Sequence, residues 1–255
     1  VADGDVIAVV GATGGVGRLV TERLAALGRF RVRAVVRNPS KAAEFLSGLP
    51  DVEVVQGSIT DGKGMMAALA GAAGVVCCTG VTAFPSGRWA GGNTPDAVDN
   101  VGVETTVRAA SEPPAALKRF VLLSSVGVER RAQFPFVILN AFGVLDAKAK
   151  GEEAVARCAG ERGFSYSILR PGRLVGEPFT NPDMAALTRA EAPGKLMVQM
   201  RQGDTLAGDI ARGCVAEALV QALYQPGAAN KAYTLVNVDG PLPSQPQWDD
   251  LFSSV

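Results

Sequence analysis

"VVGATGGVGR", residues 9–18, decides the fold of this chain. It continues a short apolar run, Val6-Ile7-Ala8-Val9-Val10, and places Gly11, Gly14 and Gly17 at equal spacing ahead of a helical pattern. In that pattern Val16, Leu19, Val20 and Leu24 share one face, Arg18, Glu22 and Arg23 point away, and Gly28 stops the helix. An apolar run that ends in glycine reads as a buried parallel strand. A strand, a tight glycine turn and a helix in this order lay an anion against free backbone N–H groups. Gly11 permits the turn, Gly14 lets the backbone approach a pyrophosphate, and Gly17 lets helix and strand pack closely. Thr13 and Val16 belong to the same turn.

Working outward, strands and helices alternate. Strands are predicted at 31–36, 52–55, 74–79, 119–124, 166–169 and 232–236, and helices at 39–47, 62–71, 95–111, 146–163 and 208–223. This is the pattern of an α/β protein of Rossmann type, a doubly wound parallel sheet. Neither repeats nor a linker interrupt it, so residues 1–255 read as a single NAD(P)-binding domain. Residues from about 173 to 255 form a small, variable C-terminal lobe capping the sheet edge, with a Pro-rich tail at 241–246. Residues 80–94 make a Gly/Pro-containing loop at the carboxyl end of the fourth strand, the edge where open parallel sheets bind ligands.

Composition removes several function classes. Lysine plus arginine and aspartate plus glutamate both total 25, so no net field draws the chain to nucleic acid or anionic lipid. There is no histidine, which excludes a Ser-His-Asp triad and the commonest zinc ligand. Cys77, Cys78, Cys158 and Cys214 lack metal-type spacing and read as reduced, buried thiols of a reducing compartment. No metal site is expected. No apolar stretch reaches the roughly 18 residues that span a bilayer, and a soluble protein is expected. Val1 stands where an initiator methionine would, as after removal of a leader or trimming of the end.

The end of the second strand selects the nucleotide. NAD-binding folds usually place an acidic residue there for the ribose hydroxyls. Here the stretch reads Ala34-Val35-Val36-Arg37-Asn38-Pro39-Ser40-Lys41, with no carboxylate. A guanidinium at Arg37, with Lys41 behind it, suits a 2′-phosphate through bidentate hydrogen bonds. NADP(H) is favoured over NAD(H).

The motifs "GATGGVG", "RAVVRNPSKA", "VVQGSITD", "RFVLLSSVGV" and "YSILRPG" occur in order. Together they resemble the atypical short-chain dehydrogenase/reductases, particularly the NmrA-like NAD(P)-binding group. The run "ILNAFGVLDAKAKGEEAVARCAGERGFSYSILRPGRL" is similar to plant and algal plastid members, including the NADPH-binding type associated with the chloroplast import translocon. The resemblance covers roughly residues 5–240. It implies that Gly11, Thr13, Gly14, Val16 and Gly17 form the pyrophosphate turn and that Arg37 meets the 2′-phosphate. It places Ser58 and Ile59 beside the adenine, Thr79 and Gly80 along the ribose and phosphate path, and Ser124 and Ser125 beside the nicotinamide. Pro171 and Gly172 would supply backbone contacts near the carboxamide. Ser58 stands where many relatives carry aspartate, and Thr105 lies in a helix where relatives often place asparagine. A chloroplast location, in the stroma or at the thylakoid surface, is implied in the same way.

One departure concerns catalysis. Reductases of this superfamily use a tyrosine as proton donor, a lysine four residues later, and a serine that orients the carbonyl. Here the serine would be Ser125. Taking Lys150 as the lysine puts Asp146 in the tyrosine slot, and taking Lys148 puts Val144 there. An aspartate with an ordinary pKa near 4 is ionised at neutral pH and donates no proton. The chain's three tyrosines are Tyr166, Tyr224 and Tyr233, none in either register. The expected function is an NADP(H)-binding subunit with a redox-sensing, scaffold or assembly role. The alternatives are a reductase with another proton source, in which Lys150 binds ribose and Ser125 the substrate, and a structural subunit with a vestigial site. The segment 134–145, "FPFVILNAFGVL", is either core, pocket lining or a docking surface for a protein partner.

Overall fold

The structure is a computed structural model and describes residues 1–176 and 195–254. Its centre is β1 (Val6–Val10), whose side chains alternate between two cores, as a strand period of two requires. Ile7 and Val9 pack among one cluster and Ala8 and Val10 among the other. Both faces are covered, which is why the sequence shows a continuous apolar run instead of alternation.

The strands β2 (Arg31–Val36), β3 (Val52–Gln56), β4 (Gly74–Cys77), β5 (Arg119–Leu123), β6 (Ser165–Pro171), β8 (Met197–Gln202) and β10 (Lys231–Val238) complete one sheet in the order β3-β2-β1-β4-β5-β6-β10-β8. Every pairing is parallel except β10 with β8. The strand order reverses direction between β1 and β4, so a crevice opens above their carboxyl ends. A second, two-stranded parallel sheet joins β7 (Arg173–Val175) to β9 (Asp209–Ala211).

Helices cover both faces. On one side lie α1 (Gly15–Leu27), α2 (Pro39–Leu46), α7 (Arg212–Tyr224) and α8 (Gln245–Ser253). On the other lie α3 (Gly62–Leu69), α4 (Gly102–Ser111) and α6 (Val144–Arg162), with the single turn α5 (Phe136–Leu139) at the crevice end. The described part of residues 173–254 continues the main sheet and packs α7 and α8 against it. Residues 177–194 and 255 of the expected C-terminal lobe lie outside the described residues.

Three local expectations are corrected. The Pro-rich tail enters a helix: Ser244 and Gln247 form a reciprocal capping box, and Pro246, in the first turn, lacks only an N–H that has no helical acceptor there. Trp248 and Phe252 of α8 are then fully buried. The predicted helix at 208–223 begins instead at Arg212, after the short strand β9. The predicted helix at 95–111 opens as a π-helical turn, Asp96–Val101, before α4.

The glycine turn is held by contacts that tolerate no side chain. Gly11 has φ +82, and a Cβ there would lie 3.2 Å from the Cys78 carbonyl at the exit of β4. A Cβ on Gly17 would be driven into the Gly11 carbonyl oxygen, which is backbone and cannot step aside. Gly17→Ala is therefore expected to destabilise the fold by about 1–3 kcal/mol, the usual range for an overpacked site. Chemical denaturation would read this as a lower midpoint at unchanged slope.

Candidate functional site

Two adjoining cavities occupy the crevice above β1 and β4, of about 520 and 340 Å³. The first runs from the glycine turn over the end of β2, and the second from the same turn over the ends of β5 and β6 to α6. Between them the N-terminus of α1 faces the crevice. Gly14 N–H donates to Gly11 O at 2.9 Å and Arg18 N–H to Gly14 O at 2.9 Å, while the amides of Gly15, Val16 and Gly17 have no backbone acceptor among the described residues. Such a helix end attracts an anion through its free N–H groups and its dipole. The first turn of α1 carries no acidic side chain to compete.

The first cavity gathers Gly11, Thr13, Gly14, Arg37, Lys41, Ile59, Thr79 and Gly80. Among the described residues its charged lining is Arg18, Arg37, Lys41 and Arg88, with no carboxylate. Arg37 leaves the end of β2 and donates to Asn93 Oδ1 at 3.3 Å, so the 80–94 loop steadies it. Lys41 is placed by α2, whose first turn is capped by Asn38 Oδ1 accepting from Lys41 N–H at 3.2 Å. Arg18 is matched by Glu22 at 2.7 Å and stacks over Phe45, leaving Arg37 and Lys41 as the cations at this end without an acidic partner among the described residues. Ser58 does not line the cavity although its neighbours Gly57 and Ile59 do; its hydroxyl is hydrogen-bonded to that of Thr60 at 2.8 Å. Gly17 lies beneath the turn and acts through packing.

The second cavity gathers Val16, Ser124, Ser125, Pro171 and Gly172, together with Val144 and Lys148 on one face of α6. Lys148 reaches from α6 to Asp99 on the π-helical turn, Nζ to Oδ1 2.7 Å, and the Asp99 side chain is 1% exposed. Asp99 also accepts from Val81 N–H at 3.4 Å. Lys150 lies elsewhere: its side chain is 58% exposed and stands 3.7 Å from Asp96, and it lines neither cavity. Asp146 likewise points away, bonded to Arg131 at 2.9 Å and to Asn140 at 2.9 Å. Of the two registers left open by the sequence, the structure brings the Val144–Lys148 pair to the cavity. Val144 of that pair is buried.

Other groups at this end are engaged in structure. Ser124 Oγ donates to Glu152 Oε1 at 2.5 Å, and Arg170 bridges Glu152 and Glu129 behind it. Burial alone would lower the Arg170 pKa, but its bonds to the two glutamates raise it. Ser125 Oγ donates to Val126 O at 3.1 Å and is the hydroxyl left at the cavity wall. No tyrosine lines either cavity. Tyr233 is buried on β10, donates to Gly227 O at 2.8 Å, and burial pushes its phenol up to about 12. Cys78 lines both cavities, and burial raises its pKa well above the ordinary thiol value, so it is no thiolate nucleophile near neutral pH.

Sequence reasoning missed Asp99, Asn93 and Arg88. Asp99 carried a signal, an acid one turn before a helix on the crevice side, whereas Thr105 faces Gly62 of α3 and not the cavity. The run 134–145 divides: Phe136, Val144 and Leu145 are core, Leu139 lines the second cavity, and Phe134, Val137, Ile138 and Phe142 are 80, 48, 55 and 50% exposed.

Comparisons with known proteins give a family and a fold. A family described as NAD(P)H-binding matches residues 11–226. The chain is 33% identical to a chloroplastic protein of Arabidopsis thaliana, At2g34460, over 97% of its own length and 81% of that protein's. It is 32% identical to the Arabidopsis thaliana chloroplastic protein TIC 62 over 67% of its own length, spanning 27% of that longer protein. Among solved structures, a short-chain dehydrogenase/reductase of Veillonella parvula in complex with NADP has a TM-score of 0.65 at 15% identity, covering 93% of this chain and 98% of that one. A Bacillus halodurans protein named for NAD-dependent epimerases/dehydratases reaches a TM-score of 0.74 at 24% identity, covering 99% and 100% of the two chains. These two likenesses concern the fold.

The ion pair separates the two lysines experimentally. Asp99→Asn leaves the Lys148 ammonium half-sequestered without its counter-charge and is expected to destabilise the fold by about 1–3 kcal/mol. Lys150→Ala, at an exposed and loosely paired site, is expected to change stability by less than about 0.5 kcal/mol. Thermal unfolding of both variants in the same buffer checks the contrast.

Proposed function

The chain belongs to the NAD(P)H-binding family, and we propose that it is an atypical short-chain dehydrogenase/reductase of plastid type serving as an NADP(H)-binding subunit with a redox-sensing, scaffold or assembly role. The residues present fit the cofactor. Free amides of α1 meet the pyrophosphate, Arg37 and Lys41 meet the 2′-phosphate, and Ile59 packs on the adenine side. Thr79 and Gly80 follow the ribose and phosphate path. Pro171 and Gly172 border the nicotinamide end, where Ser124 and Ser125 close β5. When bound, the group supplies a hydride donor or acceptor at that end.

The observation that carries the binding role is Val144 in the tyrosine slot above an aspartate-bound Lys148. Lys148 holds the ribose hydroxyls with the N–H bonds that Asp99 does not use, but it has no phenol whose pKa it could lower. Ser125 hydrogen-bonds a ligand without a strong acid or base beside it. The second cavity, largely apolar in its walls, favours a second reading, a reductase whose substrate takes its proton from water. The exposed residues Phe134, Val137, Ile138 and Phe142 suit a protein partner in a larger complex. A chloroplast setting, stromal or at the thylakoid surface, follows the plastid relatives. Among the described residues no helix is long and apolar enough to cross a membrane.

A fluorescence titration with NADPH and NADH tests the assignment. NADPH should bind with a Kd on the order of micromolar, clearly tighter than NADH, and Arg37→Ala should remove about tenfold or more of that preference. Absence of binding would leave the turn as inherited architecture. Steady turnover of carbonyl, quinone or alkene acceptors at an ordinary enzymatic rate would replace the binding role with the reductase reading.

A further inference from the structure

We propose that Arg88 is a second anchor for the pyrophosphate of the bound dinucleotide, an inference that rests on the cofactor assignment above. The residues common to both cavities come from three places: Gly14 and Gly15 of the glycine turn, residues 78–81 at the exit of β4, and Arg88 of the loop that follows. A dinucleotide that puts one nucleoside in each cavity must pass its pyrophosphate between these groups. The turn and the strand exit offer backbone; Arg88 alone offers a charge.

That charge is unmatched among the described residues. Arg18 is paired with Glu22, Lys148 with Asp99, and Arg212 donates to Gly176 O at 2.6 Å. The Arg88 guanidinium has no hydrogen-bond or ion-pair partner among the described residues. Arg88 is an exposed residue at the crevice, and the part of its side chain that is covered there lowers its pKa from the ordinary guanidinium value. A guanidinium held at this point without a protein counter-charge is open to an anion, best to phosphate oxygens that accept two parallel N–H bonds.

The loop is braced to present it. Thr82 and Ser86 hydroxyls bond at 2.8 Å, Ser86 Oγ accepts from Arg88 N–H at 3.3 Å, and Trp89 Nε1 donates to Thr82 O at 3.1 Å. The rings of Phe84 and Trp89 meet Phe142 edge-on at 6.0 and 6.2 Å, tying the loop to the start of α6. Little backbone freedom remains to be lost when the anion arrives. Arg37 and Arg88 thus divide the work: Arg37 meets the phosphate that distinguishes NADP from NAD, and Arg88 meets the phosphates that both share.

Isothermal calorimetry on the full chain, with Arg88→Gln and Arg88→Lys beside the unaltered protein, tests this with three ligands. NADPH and 2′-phospho-ADP-ribose contain the pyrophosphate; adenosine 2′-monophosphate does not. Arg88→Gln should weaken the first two by about the same factor, tenfold or more, and leave the third within about twofold, with Arg88→Lys recovering part of the loss. A thermal melt should show no change, because the side chain makes no polar contact within the described chain. Unaltered affinity of Arg88→Gln for NADPH would overturn the clamp and leave the cofactor assignment standing. So would equal weakening of all three ligands. Failure of the unaltered protein to bind any of them would overturn both.

Discussion

The ligand crevice depends on one backbone contact, the approach of the Gly17 position to the Gly11 carbonyl, where a Cβ has no room. That approach sets α1 directly on the end of β1, within a turn of four residues. It fixes where the unpaired amides of Gly15, Val16 and Gly17 emerge, above the point at which the strand order reverses. The rest is hung from this frame. β2 delivers Arg37 on one side of the turn, β4 delivers residues 78–81 beneath it, and β5 with α6 delivers Ser125 and Lys148 on the other. A shift of α1 by one methyl group would move every amide relative to those cations.

The central pieces were legible because their physics is local. A five-residue apolar run, three glycines and an amphipathic helix are contiguous, and the missing carboxylate after β2 can be read from eight residues. The lysine assignment was not legible in the same way. Lys148 and Lys150 are two positions apart, about 200° around a helix, so one faces the crevice and the other solvent. Which does so depends on how α6 packs against α4 and the π-helical turn. The two-stranded β7–β9 sheet and antiparallel β8 were missed because their partners lie far away in sequence; Met197–Gln202 has no strong pattern of its own. In α8, the prolines masked a capping box whose value appears only when Trp248 and Phe252 have a core to enter. Arg88 sits in a loop without periodicity, and its place between two cavities is a property of topology alone.

At the β5–α6 end of the crevice the polar side chains are tied to one another. A serine, a lysine and two glutamates are there, yet Ser124 is bound to Glu152, Glu152 to Arg170, and Lys148 to Asp99. These fixed pairs stabilise the wall of the cavity and tie up Ser124, Glu152 and Lys148. Val144 contributes apolar surface to the same cavity. Next to this wall, the segment before α6 splits into inward and outward residues, so one short stretch serves as core, cavity lining and exposed apolar face.

A crystal structure of the protein soaked or co-crystallised with NADP tests the cofactor site most directly. The 2′-phosphate is expected against Arg37, the ribose of the nicotinamide half within hydrogen-bond reach of Lys148, and no side-chain acid beside the nicotinamide except the Ser125 hydroxyl. A cofactor bound with its ribose on Lys150, or a tyrosine or carboxylic acid brought within proton-transfer distance of the ring, would contradict this placement.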